Sequence, residues 1–130
     1  MAAGTSTTIN EPKVLAEVTA AFERYDRAVN DNDVEALTGS FWNSPLTVRY
    51  GIAEQLYGYE QIGQFRVSNR LQNNRRERIR VLITTFGNDF ATASCEYRRL
   101  ESGRIGRQMQ TWIRTPDGWR VVAAHVSFLA

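Results

Sequence analysis

The sequence predicts an α+β domain in which helices gather at the front of the chain and pack on a long, curved, antiparallel sheet. Three observations carry that expectation. Apolar residues in the first part of the chain recur at steps of three and four, whereas from Ile79 onward the period is that of extended chain. The stretches Ile79 to Phe86, Phe90 to Arg99, Arg104 to Arg114 and Trp119 to Phe128 are rich in β-branched and aromatic residues. Between them stand Gly87-Asn88-Asp89, Glu101-Ser102-Gly103 and Thr115-Pro116-Asp117-Gly118, turns so short that successive strands must run antiparallel. A twisted sheet of this length cannot leave its apolar face bare. It is expected to curl around the helices and to keep a pocket where they fail to fill the curl.

Helix one is expected to start behind Asn10 as N-cap, with Pro12 in the first turn and Ile9 stapled to Val14. Leu15, Val18, Phe22, Tyr25 and Val29 form its inward stripe. Tyr25 brings a hydroxyl to that stripe, which needs a backbone carbonyl or a cavity to point into. Asn32 with Glu35 resembles a capping box for a short helix ending near Gly39.

The segment Phe41-Trp42-Asn43-Ser44-Pro45 turns into a strand in which Thr47, Arg49 and Gly51 share one face against Leu46, Val48 and Tyr50. Arg49 is thus a permanent cation among apolar neighbours. Such a charge calls for an anion, either Glu54 in a structural ion pair or the carboxylate of a ligand. A third helix places Tyr59, Ile62, Phe65 and Arg66 on one face, offering Arg66 as a second inward arginine. Residues 68–78 carry four arginines without an apolar period, so a solvated loop is expected there rather than a nucleic-acid patch.

On the third meander strand Arg107, Met109 and Thr111 alternate with Gln108, Gln110 and Trp112. On the fourth, Val121, Ala123, His125 and Ser127 alternate with Val122, Ala124 and Val126, so both faces bear apolar groups. A second copy of the chain would cover the outer one. His125 reads as a core or interface histidine or as a ligand group; Trp42 and Trp112 read as packing residues and pocket walls.

The totals bound the rest. At 130 residues, with 42% hydrophobic and 23% charged content, the chain suits one globular domain, expected over residues 9–130 behind a disordered tail of residues 1–8. Lys13 is the single lysine beside 15 arginines, and Cys95 has no partner for a disulfide. No apolar run approaches the roughly 18 residues that span a bilayer, so a cytoplasmic protein without membrane or nucleic-acid partners is expected. There is no Gly-rich phosphate loop and no spaced Cys/His set, which excludes the familiar nucleotide and zinc sites. Neither metal nor cofactor is expected, leaving acid-base groups and fixed charges to do any chemistry.

Taken together, Phe41-Trp-x-x-Pro-x-Thr-Val-Arg-Tyr-Gly, Glu54-x-Leu-Tyr-Gly, Phe65-Arg66, Ile83-Thr-Thr-Phe-Gly-x-Asp-Phe-Ala-Thr, Gly106-Arg-Gln-x-Gln-Thr-Trp and Gly118-Trp-Arg-Val-Val-Ala-Ala-His-Val-Ser carry a resemblance. From about Ile9 onward the chain resembles the AtzH/HpxZ-like group of the SnoaL-like, nuclear-transport-factor-2-like superfamily. The resemblance implies a cone-shaped barrel of three helices on a strongly curved sheet, a homodimer through the outer face, and an amidase partner. It also implies ureide catabolism: the AtzH branch acts on 1,3-dicarboxyurea, releasing carbon dioxide to leave allophanate, and the HpxZ branch is associated with oxalurate. The functional tyrosine and arginine of the group fall on Tyr25 and Arg49. Two positions depart from the usual pattern, Val67 onward after Phe65-Arg66 and Met109 where serine is common.

The expected function is a cofactor-free decarboxylating amidohydrolase acting on a small ureido or carbamate acid. Tyr25 would be the acid and Arg49 the carboxylate clamp. Arg66, Arg107 or His125 would hold a second carboxylate, with Trp42, Phe65 and Trp112 excluding water. The alternative, of a different class, is a non-catalytic protein that binds a small acid and assists an amidase.

Overall fold

A computed structural model describes residues 7–130. Helix α1 (Pro12–Asp31) opens the chain and buries Val18, Phe22, Tyr25 and Val29 of the expected stripe, while Val14 takes the inward place given to Leu15, which is only partly buried. Its N-cap is Glu11, whose carboxylate accepts from the Val14 amide, not Asn10. Asn10 is otherwise committed: it lies at φ 56°, donates its amide to the Thr85 carbonyl and accepts from the Thr85 amide through Oδ1. Ile9 is half exposed and bridges to Phe86 instead of stapling the helix.

The tail expected to fray through residue 8 is already held at Thr8, whose carbonyl accepts from the Gly87 amide; residues 1–6 lie outside the described residues. Asn32 ends α1 in the left-handed conformation, and Asp33 caps α2 (Val34–Gly39) by accepting from Ala36. The N-cap expected at Asn32 falls instead on Asp33, which leaves Ala36 at the third helical position and no capping box, because the Asn32 side-chain amide is used elsewhere. It donates to the carbonyls of Arg70 and Gln72 and accepts from Asn74, pinning the segment that follows the third helix.

Strands β1 (Val48–Tyr50) and β2 (Gln55–Tyr57) form a hairpin, followed by α3 (Tyr59–Ser68) and the meander β3 (Arg76–Phe86), β4 (Phe90–Arg99), β5 (Ile105–Thr115) and β6 (Gly118–Phe128). The six strands run in the order β2-β1-β6-β5-β4-β3, antiparallel except where β1 lies parallel to β6. Helix α1 touches both β3 and β6, which are separated by two strands, so the sheet wraps around the helix. The inner face contributes Ala91, Ala93, Trp112 and Val121 to the core it shares with the helices.

Two bulges change which side chains face inward. Strand β3 starts at Arg76, three residues before the expected Ile79, and steps around Ile79 in its pairing with β4. On β6 the register skips Val122, so Trp119 and Val121 face inward on one side of the skip and Ala124 and Val126 on the other. Strict alternation had set Val121 beside Ala123, His125 and Ser127. One extra residue on one strand of a pair moves every later side chain to the opposite face. Tyr50, Leu82 and Met109 remain exposed on the outer face. No helix among the described residues is long and apolar enough to cross a membrane.

Gly106 lies opposite Tyr97 across β4 and β5, and a Cβ there would sit 2.2 Å from the Tyr97 ring. Gly106→Ala must push the ring aside and is expected to lower stability by about 1–3 kcal/mol, as overpacking does. Urea denaturation checks this.

Candidate functional site

Between α1, α3, the β1–β2 turn and the inner face of the sheet lies a cavity of about 540 Å³. Four arginines, Arg49, Arg66, Arg76 and Arg99, line it against a single carboxylate, Glu54. The hollow therefore favours anions.

The floor is a chain of hydrogen bonds. Arg76 is buried and donates from Nε and Nη2 to Asp26 Oδ1, at 3.2 and 2.8 Å, while its Nη1 donates to Gln108 Oε1 at 3.2 Å. The guanidinium lies 4.4 Å from the centre of the Tyr97 ring. The Tyr25 hydroxyl donates to the same Gln108 oxygen at 3.2 Å. A guanidinium can only donate, so Arg76 obliges Gln108 to present its carbonyl oxygen, and that in turn makes Tyr25 the donor. Phe22 and the edge of Trp112 hold the Tyr25 ring from the core side.

The mouth is built differently. Arg49 points inward from β1, donates through Nη1 to Glu54 Oε2 at 2.8 Å and lies 5.5 Å from the centre of the Phe65 ring. Both partners envisaged for Arg49 are thus compatible: it pairs with Glu54 and faces the cavity. Arg66 enters from α3. Its Nε and Nη2 are shut off from solvent and have no hydrogen-bond partner. Burial, followed by repulsion from Arg49, pushes its pKa down to about 10, with Tyr25 and Glu54 opposing the shift. It stays a cation at neutral pH without a full anionic partner, which is a costly state for a folded protein.

The family model for AtzH-like proteins matches residues 7–130. The chain belongs to the AtzH-like family. A protein of unknown function from Pectobacterium atrosepticum is 50% identical, with a TM-score of 0.90 over 94% of this chain and 95% of that one. A cystatin-like fold protein from Burkholderia xenovorans is 47% identical, with a TM-score of 0.88 over 96% and 98%. A nuclear-transport-factor-2-like protein from Salmonella enterica serovar Typhimurium, at 23% identity and a TM-score of 0.75 over 91% and 92%, shares the fold alone. Among curated proteins no relative matches the sequence.

In this AtzH-like chain the cavity brings together Tyr25, Arg49, Phe65 and Arg66 of the residues singled out from sequence. Four others lie elsewhere. Gln108, Gln110 and Trp112 take the inner parity of β5, which leaves Arg107 on the outer face, 3.4 Å from Ser127 Oγ. His125 pairs in register with Tyr50, as Ala124 does with Arg49; it therefore faces outward, edge-on to the Tyr50 ring. Trp112 is fully buried behind Tyr25 and donates from Nε1 to Gln110. Trp42 lines a separate hollow with Phe41, Tyr59 and Pro116.

Sequence reasoning missed Asp26, Arg76, Tyr97 and Gln108. The inner-face glutamine beside Trp112 was a usable signal, because a polar side chain at core parity needs a partner. Asp26 and Asn30, four apart on α1, both reach Arg76, one through its side chain and the other through its amide. Nothing in the unpatterned arginine segment distinguished Arg76 from Arg75.

Asp26→Ala is expected to cost about 3–5 kcal/mol in urea denaturation, since it strands a buried guanidinium. Arg66→Met should act oppositely and raise the urea midpoint of the ligand-free protein near pH 7. Because folding lowers the proton affinity of Arg66, its charge burdens the fold at pH values below about 10 and the burden lifts above that. The advantage of the methionine variant should therefore shrink as pH rises through about 10.

Proposed function

We propose that this AtzH-like protein releases carbon dioxide, without a cofactor, from an N-carboxylated ureido or carbamate acid such as 1,3-dicarboxyurea. The observation that supports the reading is the shared cavity. Tyr25 and Arg49 come from different elements yet line one hollow with Arg66, a buried cation still lacking an anion. A small acid with a carboxylate at each end supplies the missing negative charge.

In an N-carboxylate the C–N bond breaks as nitrogen takes a proton. The bonding pair stays on nitrogen, carbon dioxide departs, and dicarboxyurea becomes allophanate. Tyr25 is the proton donor in this reading, and water restores the proton afterwards. Negative charge leaves the reacting carboxylate in the transition state, so a tight ion pair there would oppose the reaction. Arg49 accordingly grips the carboxylate that is retained, and Arg66 takes a second acceptor of the acid, the ureido carbonyl oxygen. The Tyr25 hydroxyl is turned to Gln108, and a rotation about its C–O bond aims it at the ligand while Arg76 and Trp112 keep the ring in place.

That same hydrogen bond favours a second reading, in which the cavity holds a small acid without reacting and the protein assists an amidase. The two part on one experiment. With dicarboxyurea, Tyr25→Phe is expected to lower carbon dioxide release by at least about 100-fold with the fold intact by circular dichroism. Stabilisation of the wild-type protein by the acid with no carbon dioxide evolved would favour the binding role. Arg49→Lys, a point charge in place of a planar fork, is expected to weaken binding about tenfold by calorimetry.

A further inference from the structure

Glu54 contributes the single carboxylate among the cavity's lining residues, and it sits on the group that a ligand carboxylate would use. The turn that carries it is tight: the Gly51 amide donates to the Glu54 carbonyl at 2.9 Å, and Glu54 Oε1 accepts from the Ala53 amide at 3.2 Å. The carboxylate then lies flat across Gly51. A Cβ at Gly51 would fall 1.6 Å from Glu54 Oε2 and 2.9 Å from Arg49 Nη1, so the contact exists only because that residue is glycine.

The bond itself is half of what Arg49 can offer. Glu54 takes one hydrogen bond, through Nη1, whereas a free carboxylate facing the guanidinium can take two in parallel. Glu54 also lies close enough to Arg66 to offset part of the repulsion between the two arginines. Its position thus stabilises the empty cavity and blocks the filled one.

We propose that Glu54 is a built-in competitor: it occupies Arg49 in the absence of ligand and must be displaced before a ligand carboxylate can bind there. This rests on the reading of the cavity as a site for small acids. Displacement exchanges one carboxylate for another and moves no proton. The exchange at Arg49 alone brings little net gain, so an acid binds well only when a second acceptor group engages the unpartnered donors of Arg66. Glu54 thereby sets the threshold that excludes monocarboxylates.

Calorimetric titration with malonate and with acetate tests this on the wild-type protein and three variants. Glu54→Gln removes the competing charge. Glu54→Asp keeps the charge but is one methylene too short to reach Arg49. Gly51→Ala leaves Glu54 in the chain and pushes its carboxylate off the guanidinium. All three are expected to bind malonate about tenfold more tightly, roughly 1.4 kcal/mol, and to bring acetate into the measurable range. Tightening by Glu54→Gln alone would mean that only the cavity's net charge matters, and weaker binding in all three would mean that Glu54 positions Arg49; either result overturns the competitor and leaves the small-acid site standing. Failure of the wild-type protein and of every folded variant to bind malonate would instead remove the small-acid site, and the competitor with it.

Discussion

The ion pair between Arg76 and Asp26 is the contact on which the cavity depends. It joins the first residue of the edge strand to the C-terminal half of the long helix, which the meander must wrap around to reach. A buried pair of this kind contributes little net stability when weighed against an apolar replacement, but loss of either member leaves a desolvated charge. What the pair provides here is direction. Arg76 has donors left over after Asp26 is satisfied, and it spends one on fixing the Gln108 amide, so that the hydroxyl of Tyr25 is held in a known sense.

The cavity divides into a floor whose ion pair is complete, with the Gln108 Nε2 left unpartnered, and a mouth whose cations are not fully paired. Below, each charge meets its opposite and aromatic rings brace the guanidinium. Above, Arg66 is desolvated without an acceptor and Arg49 has only a borrowed one. Such an imbalance is expensive in a ligand-free fold and is expected where binding, not folding, has shaped the residues. It also accounts for the lowered pKa of Arg66, whose first cause is burial and whose second is Arg49.

Most of the architecture was legible because period and turn chemistry agree along the chain. Four strands bounded by glycine turns allow only a meander, and parity within β1 aimed Arg49 inward from its immediate neighbours alone. Parity failed on β6, where the extra residue at Val122 leaves no local trace, and where His125 has apolar neighbours on either side whichever way it faces. Arg107 was misjudged for a related reason: both parities of β5 carry polar residues, and only the two glutamines have buried partners to satisfy. Arg76 was invisible because its anion stands 50 residues earlier in the chain, on a helix where it interrupts the apolar stripe between Tyr25 and Val29. Long-range charge pairing is the part of such a site that no local pattern encodes.

The free side of β3 shows how an open sheet edge is shielded against strand addition. An edge strand of 11 residues presents a ladder of unpaired amides and carbonyls that a strand from another chain could extend into an aggregate. Here the ladder is occupied at one end by Thr8 and Asn10, disrupted near the other by the step at Ile79, and flanked there by Arg76, Arg78 and Arg80. Shortening the chain to begin at Glu11 would strip the cover from Thr85 and Gly87 while leaving the core untouched. The expected casualty is colloidal behaviour on storage, ahead of any loss in the melting temperature.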